Sequence, residues 1–279
     1  MPGILYLVAT PIGNLEDISF RAVRILREVD WIACEDTRHT ATLLHHYDIH
    51  TPTVSYHDHN EAERAKDLVG RLLGGSSGAL VSDAGTPLVS DPGYRVVRAA
   101  IDFGISVQPV PGASASLAAL AASGLPNNAF YFGGFLPSKP GQRYNALEAL
   151  KREEVTLIFY EAPHRILDAL TDIETALGPR PVVLGRELTK MHEEFLRGTA
   201  AEIRSILFAR DAIKGEMTLL IGKAVEPVVD RTPLDQAVES CIRAGLSRMD
   251  AIKTVARQRG LSKREVYRAL EQNHGVRLP

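Results

Sequence analysis

The chain carries only two cysteines in 279 residues, Cys34 and Cys241, far apart and without the paired spacing of metal ligands. That excludes a disulfide framework and a zinc ribbon, and it predicts a reducing, cytoplasmic setting. No apolar run approaches the length that crosses a bilayer, so no membrane partner is expected. The opening Ile4-Leu5-Tyr6-Leu7-Val8 lacks a basic flank and is too short for a signal core. Internal repeats and low-complexity segments are also missing. Six histidines crowd one stretch (His39, His45, His46, His50, His57 and His59), yet their spacing matches no zinc pattern and no metal is expected. His57 and His59 are predicted on one face of a strand, with residues 57–60 left open as a substrate contact.

Strong net charge is lacking as well: the formal value is −2. It conceals an asymmetry, because residues 229–279 hold ten Lys+Arg against six Asp+Glu, which leaves a balance of −6 on the rest. A basic tail on an acidic body fits a polyanionic partner.

The most informative stretch present is Ser82-Asp83-Ala84-Gly85-Thr86-Pro87-Leu88-Val89-Ser90-Asp91-Pro92-Gly93. It follows the apolar run 78–81 and precedes a helix-like segment. It therefore reads as the loop at the carboxyl end of a strand in an open α/β sheet, where such sheets bind ligands. Two glycines and two prolines set its path, and small side chains let a ligand approach the main chain. Asp91-Pro92 reads as an N-cap followed by proline at the first helical position. The loop has neither the lysine of a P-loop nor the spacing of a dinucleotide fingerprint. Four other strand ends carry polar or backbone-exposing residues: 10–14, 35–38, 111–114 and 161–165. Together with the loop they read as one cleft.

Along the chain, strands are predicted over 4–9, 31–34, 53–56, 80–81 and 105–110. Helices are expected from Ser19, over 40–47, from an Asn60/Glu63 capping pair to Leu73, after Gly93, and over 114–122. The last is nearly all Ala, Ser and Leu, which lets another element pack close. Beyond Gly124 the rhythm changes, with strands over 130–135, 156–160, 182–186, 193–198 and 216–221 that suggest a mixed sheet. Three helices, over 144–150, 163–177 and 202–208, accompany them. The fold class is α/β, with two α/β domains (1–125 and 126–226) and a basic helical segment (227–279). In that tail, Ser247/Asp250 and Ser262/Glu265 read as capping pairs of two helices in a helix-turn-helix outline. Gly260 ends the first, and Val266, Tyr267 and Leu270 form the apolar side of the second.

With those motifs in view, the chain resembles the tetrapyrrole-methylase-type family of S-adenosylmethionine methyltransferases. Within it, the resemblance is to the subgroup that methylates the ribose 2′-hydroxyl of a cytidine in bacterial small-subunit (16S) ribosomal RNA. It is carried by residues 8–19, Cys34-Glu-Asp-Thr-Arg-His-Thr40, His57-Asp-His-Asn-Glu61 and the loop 82–93. Gly134-Phe-Leu-Pro137, Phe159-Tyr-Glu-Ala-Pro-His-Arg165, Arg186-Glu-Leu-Thr-Lys190 and Lys214-Gly-Glu-Met-Thr218 extend it over both domains. Ala113 departs from the pattern, where a second proline is frequent.

The resemblance implies S-adenosylmethionine in a cleft between two α/β domains, and a homodimer. It implies Ala9, Asp83, Gly85, Thr86, Ser114, Ala115, Tyr160, Leu188 and Met217 around the cofactor, Gly85 through its backbone. In-line methyl transfer to a weakly nucleophilic hydroxyl benefits from a general base or a cation near the developing alkoxide. Glu161 and Arg38 are the candidates, with Asn14 orienting the ribose; Glu16, Asp36 and His57 stay open for the same work. Lys263, Arg264 and Arg268 are the RNA-binding candidates. Two alternatives remain at this point: a methyltransferase of small tetrapyrrole or corrinoid precursors, and a catalytically silent RNA-binding ribosome assembly factor.

Overall fold

The computed structural model describes residues 1–224, 232–259 and 261–274. The chain divides into two compact units, Met1–Ala224 and Val225–Pro279.

The first unit opens with five strands: β1 (Ile4–Val8), β2 (Trp31–Cys34), β3 (Thr53–Ser55), β4 (Gly78–Val81) and β5 (Ser106–Val110). All pair in parallel, in the order β3-β2-β4-β1-β5. Strands β2 and β4 are buried at every position, as strands covered on both faces must be. The covering helices are α1 (Phe20–Glu28), α2 (Thr37–His46), α3 (Glu61–Leu73) and α4 (Tyr94–Asp102). Ala65, Leu68 and Leu72 of α3 and Val96 and Ala100 of α4 pack with Leu5, Trp31 and Leu80. On the other face, Ala22, Ile25 and Leu26 of α1 and Leu44 of α2 pack with Val8, Ile32 and Val81.

Helix α5 (Ala115–Ser123) joins this sheet to a second one. Its buried Ala119 and Leu120 lie against Ile158, Val183 and Leu220, the close packing that its small residues predict. The second sheet has the order β6-β7-β10-β8-β9. Its strands are β6 (Phe130–Phe135), β7 (Thr156–Glu161), β8 (Val182–Arg186), β9 (Glu194–Gly198) and β10 (Met217–Ile221). Only β6–β7 is parallel, so the mixed sheet is observed. Helices α6 (Pro140–Ala149), α7 (Ile166–Leu177) and α8 (Ala200–Phe208) close its core around Leu147, Leu170, Ile173 and Ile203. Thr199 and Glu202 form a reciprocal capping box at the start of α8.

The second unit contains α9 (Leu234–Arg243), α10 (Arg248–Gln258) and α11 (Lys263–His274). Val238, Ile252, Val255, Val266 and Leu270 make its own small core. The Ser247 hydroxyl accepts from the Asp250 amide at 3.2 Å, and Ser262 and Glu265 cap α11 reciprocally at 2.7 and 3.2 Å. The linker at 225–230 and the helix stop at Gly260 lie outside the described residues.

Four local expectations fail. Asp91 is not an N-cap, because α4 starts two residues later, after Gly93. Asn60 precedes α3 but makes no side-chain cap. It accepts instead from the His57 amide at 2.9 Å and donates to the Ser55 carbonyl at 3.3 Å, which folds 57–60 into a turn. His57 and His59 therefore share no strand face, although their rings meet edge-on with centroids 5.9 Å apart. Tyr267 is 46% exposed rather than part of the apolar side of α11.

Candidate active site

Strands β1 and β4 run side by side with Val8 opposite Val81, so the loops that follow them emerge together. They are tied by a two-residue bridge: the Thr10 amide donates to the Gly85 carbonyl at 2.9 Å, and the Gly85 amide to the Thr10 carbonyl at 3.1 Å. The Thr10 hydroxyl donates to the Ser82 carbonyl (3.0 Å), and the Ser82 hydroxyl to that of Gly85 (3.0 Å). Thr86 reaches the Ala113 carbonyl after β5 at 3.2 Å. At the far end, the Glu61 carboxylate accepts from the amides of Gly93 and Arg95. Gly85 adopts φ +81°, and Leu88 and Ser90 hold φ of 69° and 70°, a region that L-residues avoid.

This loop forms one wall of a cavity of about 350 Å³. Asp83, Ala84, Gly85, Thr86, Val89, Ser90 and Asp91 line it, with Ile12 after β1 and Ser114 and Ala115 at the start of α5. The second sheet supplies the opposite wall: Phe135, Tyr160, Glu161, Ala162, Pro163, Leu188, Glu216, Met217 and Thr218. Phe132 and Phe135 meet the Tyr160 ring edge-on, at 5.1 and 5.6 Å between centroids.

Two polar features stand out against these largely apolar walls. The Glu161 side chain is fully buried; its Oε1 lies 2.6 Å from Arg165 Nη2 and accepts from the Ala162 amide at 2.8 Å. Its Oε2 is buried with no hydrogen-bond partner among the described residues, an acceptor left for whatever fills the cavity. On the facing wall, burial first, then the charges of Glu35 and Asp83, push the Asp91 carboxyl up to about 6. Glu35 is raised by the same causes, burial and then Asp83 and Asp58. The mouth is thus negative and favours a cationic centre, while the first turn of α5 offers backbone N–H groups to a carboxylate. Among the described residues no group of three or more His, Cys, Asp or Glu is arranged to hold a metal ion.

Eight of the nine residues expected at the cofactor line this cavity, and so does Glu161. Ala9 stands one residue behind, buried where the chain packs against Gly112. Arg38 does not line the cavity: the carboxylate of Asp36, the N-cap of α2, lies 2.9 Å from its guanidinium on an exposed surface. Asn14 lies in a second, more open recess of about 550 Å³, with Gly13, Leu15, Glu16, His46, Thr189, Lys190 and Met191. The residues expected around the cofactor leave out Ile12, Asp91, Phe135, Pro163 and Glu216, although each lies inside a quoted motif and lines the cavity. In the C-terminal unit, Lys263, Arg264 and Arg268 are all exposed on α11.

The ionisation of Asp91 has a measurable consequence. A carboxyl whose folded pKa exceeds its unfolded value adds stability in full below about 4 and loses it as the pH climbs through about 6. Asp91→Asn is expected to remove this downward slope and to be more stable at pH 7, on the order of 1–2 kcal/mol after allowance for screening. Denaturant midpoints of both proteins between pH 4 and 7 check it; parallel curves would contradict it.

The sequence profile of the tetrapyrrole (corrin/porphyrin) methylases matches residues 4–204, which span both sheets down to α8. The chain belongs to that family. It is 52% identical to the ribosomal RNA small subunit methyltransferase I of Halalkalibacterium halodurans, over 97% of this chain and 95% of that one. The Bacillus subtilis protein of the same name is 46% identical over 96% and 94%. Among solved structures, a Thermus thermophilus uroporphyrin-III C-methyltransferase complexed with S-adenyl homocysteine superposes with a TM-score of 0.55 at 20% identity. It covers 80% of this chain and 98% of that one. The family's two-sheet α/β fold is therefore the fold of 1–224, to which this chain adds α9, α10 and α11. Among the described residues no helix is long and apolar enough to cross a membrane.

Proposed function

We propose that this protein is an S-adenosylmethionine-dependent methyltransferase of small-subunit (16S) ribosomal RNA, acting in the cytoplasm on the ribose 2′-hydroxyl of a cytidine. The observation that carries the reading is identity of about half to relatives named as small-subunit rRNA methyltransferases, over nearly the whole of both chains. The cavity supports it: small residues of the loop 82–93, the N-terminus of α5, and the Tyr160, Leu188 and Met217 side chains suit a zwitterionic nucleoside.

When bound, the cofactor supplies a methyl group activated by a sulfonium. The protein's part is alignment of the acceptor oxygen with that methyl, and handling of one proton. Glu161 is the group placed for the proton. Its Oε1 is fixed by Arg165 and the Ala162 amide, which leaves Oε2 to accept from the ribose hydroxyl as that oxygen attacks. Arg38 and Asn14 stand outside the cavity, so their contribution falls on the RNA. A homodimer is part of the same reading through the family resemblance, and sedimentation of the purified protein tests it.

The test of the reaction uses labelled S-adenosylmethionine and small subunits lacking the modification, with the labelled nucleotide mapped. Replacing the target cytidine by its 2′-deoxy analogue is expected to abolish label and to weaken binding only modestly, since phosphate and base contacts persist. Label on the base of the deoxy substrate would overturn the assignment.

The tail has its own expected outcome. A chain ending at Glu226 retains both sheets, and should bind S-adenosylmethionine normally yet lose RNA affinity and much of its salt dependence. Filter binding over a range of salt decides it; equal slopes would assign α9, α10 and α11 to docking or dimerisation.

A further inference from the structure

The recess that holds Asn14 shares no lining residue with the cavity, and its walls continue those of the cavity. The loop after β1 gives Ile12 to the cavity and Gly13 and Asn14 to the recess; the loop after β8 gives Leu188 to the cavity and Thr189, Lys190 and Met191 to the recess. The loops touch at Gly13, where a side chain would meet Lys190 Cγ at 2.4 Å and the Leu188 carbonyl at 3.0 Å. Cavity and recess therefore lie back to back across one close contact. A cavity of about 350 Å³ is at the small end for ligand sites and takes the cofactor with little room for a second nucleoside.

The chemistry of the recess is that of a nucleoside rather than a phosphate. Its one lysine, Lys190, is held at 3.0 Å by both Glu187 and Glu216, and Glu16 lies nearby, so no net positive charge faces the opening. Neutral donors and apolar surfaces remain. Asn14 spends its carbonyl oxygen on the Glu16 amide, leaving its NH2 group for a partner. The Thr189 hydroxyl is buried with no hydrogen-bond partner among the described residues. Met191 is 94% exposed, and His46 is an exposed residue lining the same recess, two surfaces against which a base can lie.

We propose that this recess receives the base of an unpaired nucleotide that neighbours the methylated cytidine in the RNA strand. Asn14 and Thr189 hydrogen-bond its edge, and Met191 and His46 cover its faces. The inference rests on the RNA methyltransferase reading and adds a position at which substrate is selected. Lys190 is a positioning residue here: by bridging Glu187 and Glu216 it fixes the loop that separates the two sites.

The experiment pairs protein and RNA changes. RNA substrates bearing an abasic residue at each position flanking the target are assayed with the wild-type protein and with Met191→Ala and Asn14→Ala. At one flanking position the abasic residue is expected to raise the KM for RNA roughly tenfold in the wild-type protein. Each variant should show a similar KM rise on intact RNA and no further penalty from that abasic residue. S-adenosylmethionine affinity by calorimetry should stay within about twofold. Because the Met191 side chain is exposed, its truncation leaves the fold intact, and a thermal midpoint confirms it. Penalties that add independently at every position, or an unchanged KM for RNA in both variants, would overturn the proposal. A wild-type protein that labels no RNA at all would instead overturn the proposed function on which it rests.

Discussion

Gly85→Val abolishes S-adenosylmethionine binding, at least a hundredfold in affinity, while the protein still unfolds cooperatively. Three facts set this expectation. Gly85 lines the cavity, holds φ +81°, and exchanges both its backbone hydrogen bonds with Thr10. A Cβ there would lie 3.3 Å from Ile12 Cγ2, so the branched side chain projects into space the ligand needs. A β-branched residue also resists that φ, which pulls the loop off its bridge to Thr10. The damage stays local, because of the loop's residues only Leu88 packs against the core around Leu80 and none packs against the core around Val81. Calorimetric titration and a denaturant curve on the same preparation read both parts. Affinity within threefold of the parent would remove the loop 82–93 from the cofactor site.

The second large effect concerns Glu161→Gln. Methyl transfer in a single turnover is expected to fall by about 10²- to 10⁴-fold, the range that general-base catalysis supplies. Affinity for S-adenosylmethionine should change far less, since the substitution keeps the size and shape of the side chain. Stability should drop too, because Arg165 loses the carboxylate 2.6 Å away and its own Nε is already buried with no partner among the described residues. The double variant Glu161→Gln, Arg165→Gln separates these effects: it should recover part of the lost stability and none of the rate. A single-turnover rate within threefold of the parent would show that Glu161 only holds Arg165 in place.

The elements were legible where one physical signal dominated. Val81, Leu80 and Ala79 form an uninterrupted apolar run because β4 is covered on both faces, and the loop after it carries its own punctuation. The Ser262/Glu265 box was readable because both partners of a local hydrogen-bond pair lie three residues apart. Failures came where a side chain found a more distant partner. Glu61, at the end of the quoted 57–61 motif, ties down the amides of Gly93 and Arg95, thirty-odd residues away, which no local pattern announces. Asn60 turns back to His57 and Ser55 instead of capping α3. Of the candidate site, the motifs located the stretches that meet at the cavity but not which side chains within them face it. Phe135 and Glu216 reach the cavity from β6 and the start of β10, and only the pairing order of the second sheet brings them there.

Leu88 and Ser90 keep left-handed backbones because hydrogen bonds at both ends of their loop over-determine its path. The conformational cost, of order 1–3 kcal/mol per residue, is met during folding and not at each encounter with a ligand. Such a wall presents a finished surface, so association proceeds without waiting for the loop to rearrange. Changes in this loop that weaken the complex without blocking the cavity should then shorten its lifetime and leave the rate of capture nearly constant.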